Sequence, residues 1–122
     1  MSLLLIALGG ASGALARSGV DVLAARFGVA APLGTLAINV GGSFAAGLVA
    51  TLIADRMLLP DAARPLILVG LLGGFTTFSA FALQLSRMGE GGELLALIAY
   101  AVGSILLGVA AASAGVALAR AL

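Results

Sequence analysis

Gly70-Leu71-Leu72-Gly73-Gly74-Phe75-Thr76-Thr77-Phe78-Ser79-Ala80-Phe81 interrupts what is otherwise a long apolar run. A doubled glycine weakens a helix through backbone entropy and missing side-chain contacts. Two threonines follow it, then two phenylalanines three residues apart. Hydrocarbon tolerates a broken helix only where the freed backbone groups are buried in protein, line a cavity or hold an ion. The segment is therefore the expected functional centre, with the break expected at Gly73-Gly74.

Working outward, the chain is apolar throughout. Of its 122 residues 62% are hydrophobic and 9% charged, with a mean hydropathy of +1.26. No soluble domain of this size hides so much apolar surface. A membrane span needs about 20 apolar residues, roughly 30 Å at 1.5 Å per residue. Four spans fit, at about residues 3–25, 33–54, 63–85 and 94–118, in a single all-α transmembrane domain. Pro32 and Pro65 suit helix starts. The amino terminus runs straight into apolar sequence with no basic stretch before it. It reads as a first membrane helix and not as a cleaved signal.

The charges lie in the connections. Four spans put Arg56, Arg64 and Arg120 on one side, and Arg26 and Arg87 on the other with Arg17 near it. Orientation follows the bias of basic residues between short loops, and here that bias is close to nil. The expectation is dual topology: copies insert in both orientations and pair antiparallel. Small residues such as Gly9, Gly13, Gly41, Gly42, Gly47, Gly103 and Gly108 read as packing positions, since helices in lipid associate through close backbone approach.

Few polar groups lie within the spans. Thr35, Asn39 and Ser43 recur every fourth residue and form one stripe. The two hydroxyls can be satisfied on the i−4 carbonyl. The Asn39 amide, with two donors and an acceptor, cannot be fully satisfied that way. It either glues helices, at ~0.6–2 kcal/mol, or offers N–H groups to an anion. Phe78 and Phe81 share a face. Phenylalanine in a membrane helix usually packs, but a ring edge is electropositive and can stabilise a small anion. Arg17 and Asp21 are spaced to pair, or Arg17 snorkels to a water-filled mouth. Tyr100 and Ser104 share a face of the fourth span.

Several chemistries are excluded. Cys and His are absent, which removes thiol chemistry and the usual transition-metal sites. No carboxylate pair, nucleophile–base pair or phosphate loop is present, so no enzyme is expected. A net charge of +1 gives no reason to expect nucleic acid.

Three blocks together resemble the CrcB, or Fluc, fluoride channels. They are Gly9-Gly10-x-x-Gly13-Ala14-x-x-Arg17, Gly34-Thr35-Leu36-x-x-Asn39-x-x-Gly42-Ser43-Phe44-x-x-Gly47, and Gly73-Gly74-Phe75-Thr76-Thr77-Phe78-Ser79-x-Phe81. The resemblance implies a dual-topology antiparallel dimer in the cell membrane with two fluoride pathways. It implies a structural sodium ion at the dimer centre, held by the main-chain carbonyls of Gly73 and Thr76. It implies that Asn39, Phe78 and Phe81 line the anion path, with Tyr100 and Ser104 nearby. Thr35, Ser43, Thr77 and Ser79 are further hydroxyls along that path, and Arg17 faces a vestibule. Some members of the family pair two different subunits, so a homodimer and a heterodimer with a paralogous chain are both open. The family's third block commonly continues as Thr-Thr-Phe-Ser-Thr-Phe-Ser-x-Glu; here Ala80, Ala82 and Gln84 stand at the later positions, and Gly108 replaces a frequent hydroxyl. Two other classes compete. A small dual-topology multidrug transporter needs a membrane carboxylate that is missing here. A non-conducting membrane subunit explains the glycines but not the Asn39 stripe or the break.

Overall fold

A computed structural model describes all of residues 1–122. It is helical with no strands. In order come α1 (Ser2–Arg26), α2 (Ala31–Ala54), a short 3-10 turn (Asp61–Ala63), a wide-turned π segment (Pro65–Leu72), α3 (Gly73–Phe75), α4 (Phe78–Glu90) and α5 (Leu94–Ala121). Four stretches are long and apolar enough to cross a membrane: Ser2–Arg26, Ala31–Ala54, Asp61–Glu90 and Leu94–Ala121. The third is the composite span from the 3-10 turn to the end of α4.

The connections follow from local chemistry. α1 ends in Arg26, a cation at the negative end of the helix dipole. Gly28 follows with φ +69°, a left-handed conformation that glycine takes without penalty. Pro32 sits in the first turn of α2, where a missing N–H costs nothing. Asp55 and Arg120 meet at 3.3 Å, so the carboxyl end of α5 lies beside the end of α2.

Packing has two glycine seams. A Cβ on Gly9 would lie 3.0 Å from the Gly70 Cα and 2.9 Å from the Leu71 N. A Cβ on Gly13 would lie 2.8 Å from the Phe75 N, and one on Gly74 would lie 3.0 Å from the Gly10 Cα. Side chains there would drive α1 and the third span apart. The second seam joins α2 to α5, where Gly47 meets Ala112 and Gly115 meets Phe44 and Leu48. Gly41 and Gly103 belong to neither seam within the chain: an added Cβ there would meet nothing within 4 Å.

The third span is interrupted, but not where the glycines suggested. Gly73 keeps helical angles (φ −64°, ψ −35°), and α3 includes Gly74. The extended residues are Thr76 (φ −78°, ψ 157°) and Thr77 (φ −147°, ψ 115°). The glycine pair serves close packing on α1. The threonines turn the chain because a hydroxyl at the start of a helix replaces a lost backbone acceptor.

Candidate functional site

The break lies midway along the third span and disposes of its backbone groups in a definite way. In an unbroken helix the Thr77 N–H would bond the Gly73 carbonyl. Here it donates to Asn39 Oδ1 at 2.8 Å. Asn39 Nδ2 in turn donates to the Thr77 carbonyl at 3.0 Å. The Asn39 amide thus matches the donor and acceptor of one residue, as a neighbouring strand would. Thr77 Oγ1 accepts from the Ala80 N–H at 3.2 Å and caps α4. That N–H is the helical partner of the Thr76 carbonyl. Arg17 Nε donates to the Gly74 carbonyl at 3.3 Å, replacing the helical N–H of Phe78.

The amino-terminal side of the break is closed. Both the N–H and the hydroxyl of Thr76 donate to the Leu72 carbonyl, at 3.0 and 2.9 Å. Gly74 and Thr77 carbonyls therefore have side-chain donors from α1 and α2. Gly73 and Thr76 carbonyls have lost their helical donors to Asn39 and to the Thr77 hydroxyl.

Beside the break is a hollow of ≈ 380 Å³ lined by residues that include Asn39, Ser43, Gly73, Thr76, Thr77 and Phe78. No charged side chain lines it. Its mouth is broad, and Phe78 is 78% exposed on the single chain. Thr77 and Ser79 hydroxyls lie 3.3 Å apart at this surface.

An aromatic ladder leads away from the break. Phe78 and Phe81 rings are 5.8 Å apart and tilted by 53°, and Phe81 and Tyr100 rings are 5.3 Å apart and tilted by 55°. Tilted pairs place the positive edge of one ring near the negative face of the next. Tyr100 donates its hydroxyl to Gln84 Oε1 at 2.6 Å, and Gln84 Nε2 donates to Thr35 Oγ1 at 2.8 Å. One polar chain therefore crosses α5, α4 and α2. Ser104, one turn after Tyr100, has a buried hydroxyl with no partner.

The expected residues thus fall into groups. Asn39, Ser43, Thr76, Thr77 and Phe78 surround one hollow. Phe81 and Tyr100 extend from it through ring contacts, and Thr35 joins them through Gln84. Of the two readings of Arg17, the pair with Asp21 does not form: the only ion pairs are Asp61–Arg64 and Asp55–Arg120. Arg17 turns instead to the break. Gln84 was missed as a site residue because it stood out only as a lost carboxylate. Its spacing of three from Phe81 was the available signal.

A bundle of four apolar spans around a hydrogen-bonded break, with Arg17 on one side of it and no charged side chain in the hollow on the other, defines a multi-pass membrane protein with a polar site midway along one span. The profile of the CrcB-like protein, Camphor Resistance (CrcB), family matches residues 4–116, and the chain belongs to that family. Among its relatives is the fluoride-specific ion channel FluC of Paracoccus denitrificans (strain Pd 1222), 47% identical over 117 residues, 96% of this chain and 93% of the relative. The fluoride-specific ion channel FluC 2 of Nitrobacter hamburgensis is 43% identical over 121 residues, 98% of each chain. The fluoride-specific ion channel FluC of Chloroflexus aurantiacus (strain J-10-fl) is 45% identical over 120 residues, 98% of this chain and 95% of the relative.

Proposed function

We propose that this chain is a subunit of a fluoride-selective channel that lets the anion leave the cell passively across the cell membrane. It carries no enzymatic activity. The observation that carries this reading is the Asn39 amide beside an uncharged hollow. One of its N–H groups is held by Thr77, which leaves a second donor for an anion. The relatives' names supply the identity of that anion. Fluoride enters a narrow path only if donors replace much of its water shell. The Asn39 N–H, the hydroxyls of Ser43, Thr77, Ser79 and Ser104, and the edges of Phe78 and Phe81 are such donors. The unpaired Ser104 hydroxyl supports this reading. A full positive charge among them would hold the ion too tightly for release.

The working unit is an antiparallel dual-topology dimer, of identical chains or of this chain with a paralogous one. Extended backbone at mid-membrane depth cannot face lipid. A second copy over the open side of the hollow would cover the Thr76–Thr77 backbone, Gly73 and the exposed Phe78 ring. At that interface the carbonyls of Gly73 and Thr76 from both copies would hold a structural sodium ion. Oxygen donors released from their helical bonds fit a hard cation. Such an ion would offset the electrostatic cost of nearby fluoride. Arg17 would add positive potential toward one mouth while its Nε supports Gly74.

Two other classes remain alternatives. A multidrug-type exporter lacks the carboxylate it would need in the hollow. A non-conducting subunit leaves the spare Asn39 donor without a purpose. Efflux from liposomes tests all three. Fluoride should leave far faster than chloride, carry net negative charge and need no sodium gradient. Equal or absent efflux of both anions from the purified protein would refute the channel.

A further inference from the structure

We infer that Asn39 is a positioning residue for the cation cage and not solely a donor to the anion. The argument begins with the destination of the Thr77 N–H. In a continuous helix it would bond the Gly73 carbonyl. Asn39 Oδ1 takes it at 2.8 Å, which frees that carbonyl. Asn39 Nδ2 adds a second donor, at 3.0 Å, to the Thr77 carbonyl that opens α4. The two bonds act oppositely on two carbonyls four residues apart. One exposes that of Gly73, and the other engages that of Thr77.

Asn39 works with two other side chains. Thr77 Oγ1 takes the Ala80 N–H and so frees the Thr76 carbonyl. Arg17 Nε retires the Gly74 carbonyl. Two of these side chains thereby free the Gly73 and Thr76 carbonyls and the third occupies that of Gly74; the Phe75 carbonyl, whose helical donor would be the Ser79 N–H, is also disturbed and is touched by none of the three. Such partners orient ligands without touching the metal, and they commonly carry a large share of its affinity. Asn39 also lines the hollow beside the break. One amide therefore joins the anion path to the cage, and a change at Asn39 alters both.

The inference rests on the sodium-holding dimer proposed above, and the test separates the two. The protein is purified in detergent and its thermal unfolding followed while sodium replaces N-methylglucamine at constant ionic strength. Wild type should be stabilised with a definite sodium midpoint. Asn39→Ala should need about tenfold more sodium or more, whereas Arg120→Ala, in the exposed pair at the helix ends, should keep the wild-type midpoint. A wild type indifferent to sodium removes the cage and the inference with it. A sodium-dependent wild type with an unchanged Asn39→Ala midpoint leaves the cage standing and overturns the role of Asn39. If Asn39→Ala does not assemble, amide exchange in the wild type decides. The Thr77 amide should remain protected in sodium-free buffer, because its acceptor is Asn39 and not an ion-dependent contact. Rapid exchange there overturns the inference.

Discussion

Pro65–Leu72 and α3 are held to α1 chiefly by shape, with Arg17 on the Gly74 carbonyl as the one side-chain hydrogen bond, whereas α4 is held to α2 and α5 by directional bonds and rings. In the first half of the third span the contacts are glycine against backbone, at Gly9, Gly13, Gly70 and Gly74. In the second half they are Asn39 to Thr77, Gln84 to Thr35 and Tyr100, and Phe81 to Tyr100. In lipid, close backbone approach fixes one half with little freedom. The polar half carries donors, some of them uncommitted, and that is where an anion can be hydrated. The lesson is a division of labour within one span: a rigid seat on one side of the break and a polar wall on the other.

Breaking the seat should have the largest effect. Gly74→Val would force a branched side chain against the Gly10 backbone. The expected cost is on the order of 3 kcal/mol or more, seen as loss of the assembled protein in size-exclusion chromatography. An elution profile equal to that of wild type would show that the seam is looser than its contacts imply.

The link between the halves comes next. Asn39→Ala leaves the Thr77 N–H without its acceptor, at about 1–3 kcal/mol for a buried unsatisfied group, while the Thr77 carbonyl keeps its place at the start of α4. Fluoride efflux should fall with stability. Efflux at the wild-type rate would mean that Asn39 neither wets the path nor holds the break.

Within the polar wall, Phe78→Ile and Phe81→Ile keep bulk but remove the ring edge. Fluoride flux should drop about tenfold or more, the equivalent of ~1.4 kcal/mol in the barrier, while the folded protein survives. Unchanged flux in both variants would make the ladder a packing feature like the seat. Gln84→Leu should have a smaller effect, about 1 kcal/mol of stability for its hydrogen bonds, because Tyr100 keeps its contact with Phe81. A melting temperature equal to that of wild type would remove the Gln84 bridge from the wall.

The smallest effect belongs to neither half. Arg120→Ala breaks an exposed pair with Asp55, and exposed pairs contribute about 0.5 kcal/mol or less. A large loss of stability there would show that the helix ends, and not the mid-membrane contacts, hold the bundle.

The sequence by itself determined the class. Apolar length dictates four spans, because a span of given length and hydropathy has one low-energy place, the bilayer. The scarcity of polar residues made Asn39, the threonine pair and the rings visible, since each is costly in hydrocarbon unless used. The near-equal distribution of arginines, readable without coordinates, raised the dual-topology expectation that the proposed dimer carries forward. The position of the break was not legible. Gly73-Gly74 looked like the weak point, yet both stay helical while Thr76 and Thr77 extend. Local propensity favours a break at the glycines, but α1 approaches so closely there that only glycine fits, and Asn39 from α2 supplies the bonds that stabilise extension two residues later. Arg17 on the Gly74 carbonyl and Gln84 between Thr35 and Tyr100 were hidden for the same reason. Their partners lie 57 and 49 residues away. A hydrogen bond between side chains and backbone so far apart in the chain is decided only when the helices have packed.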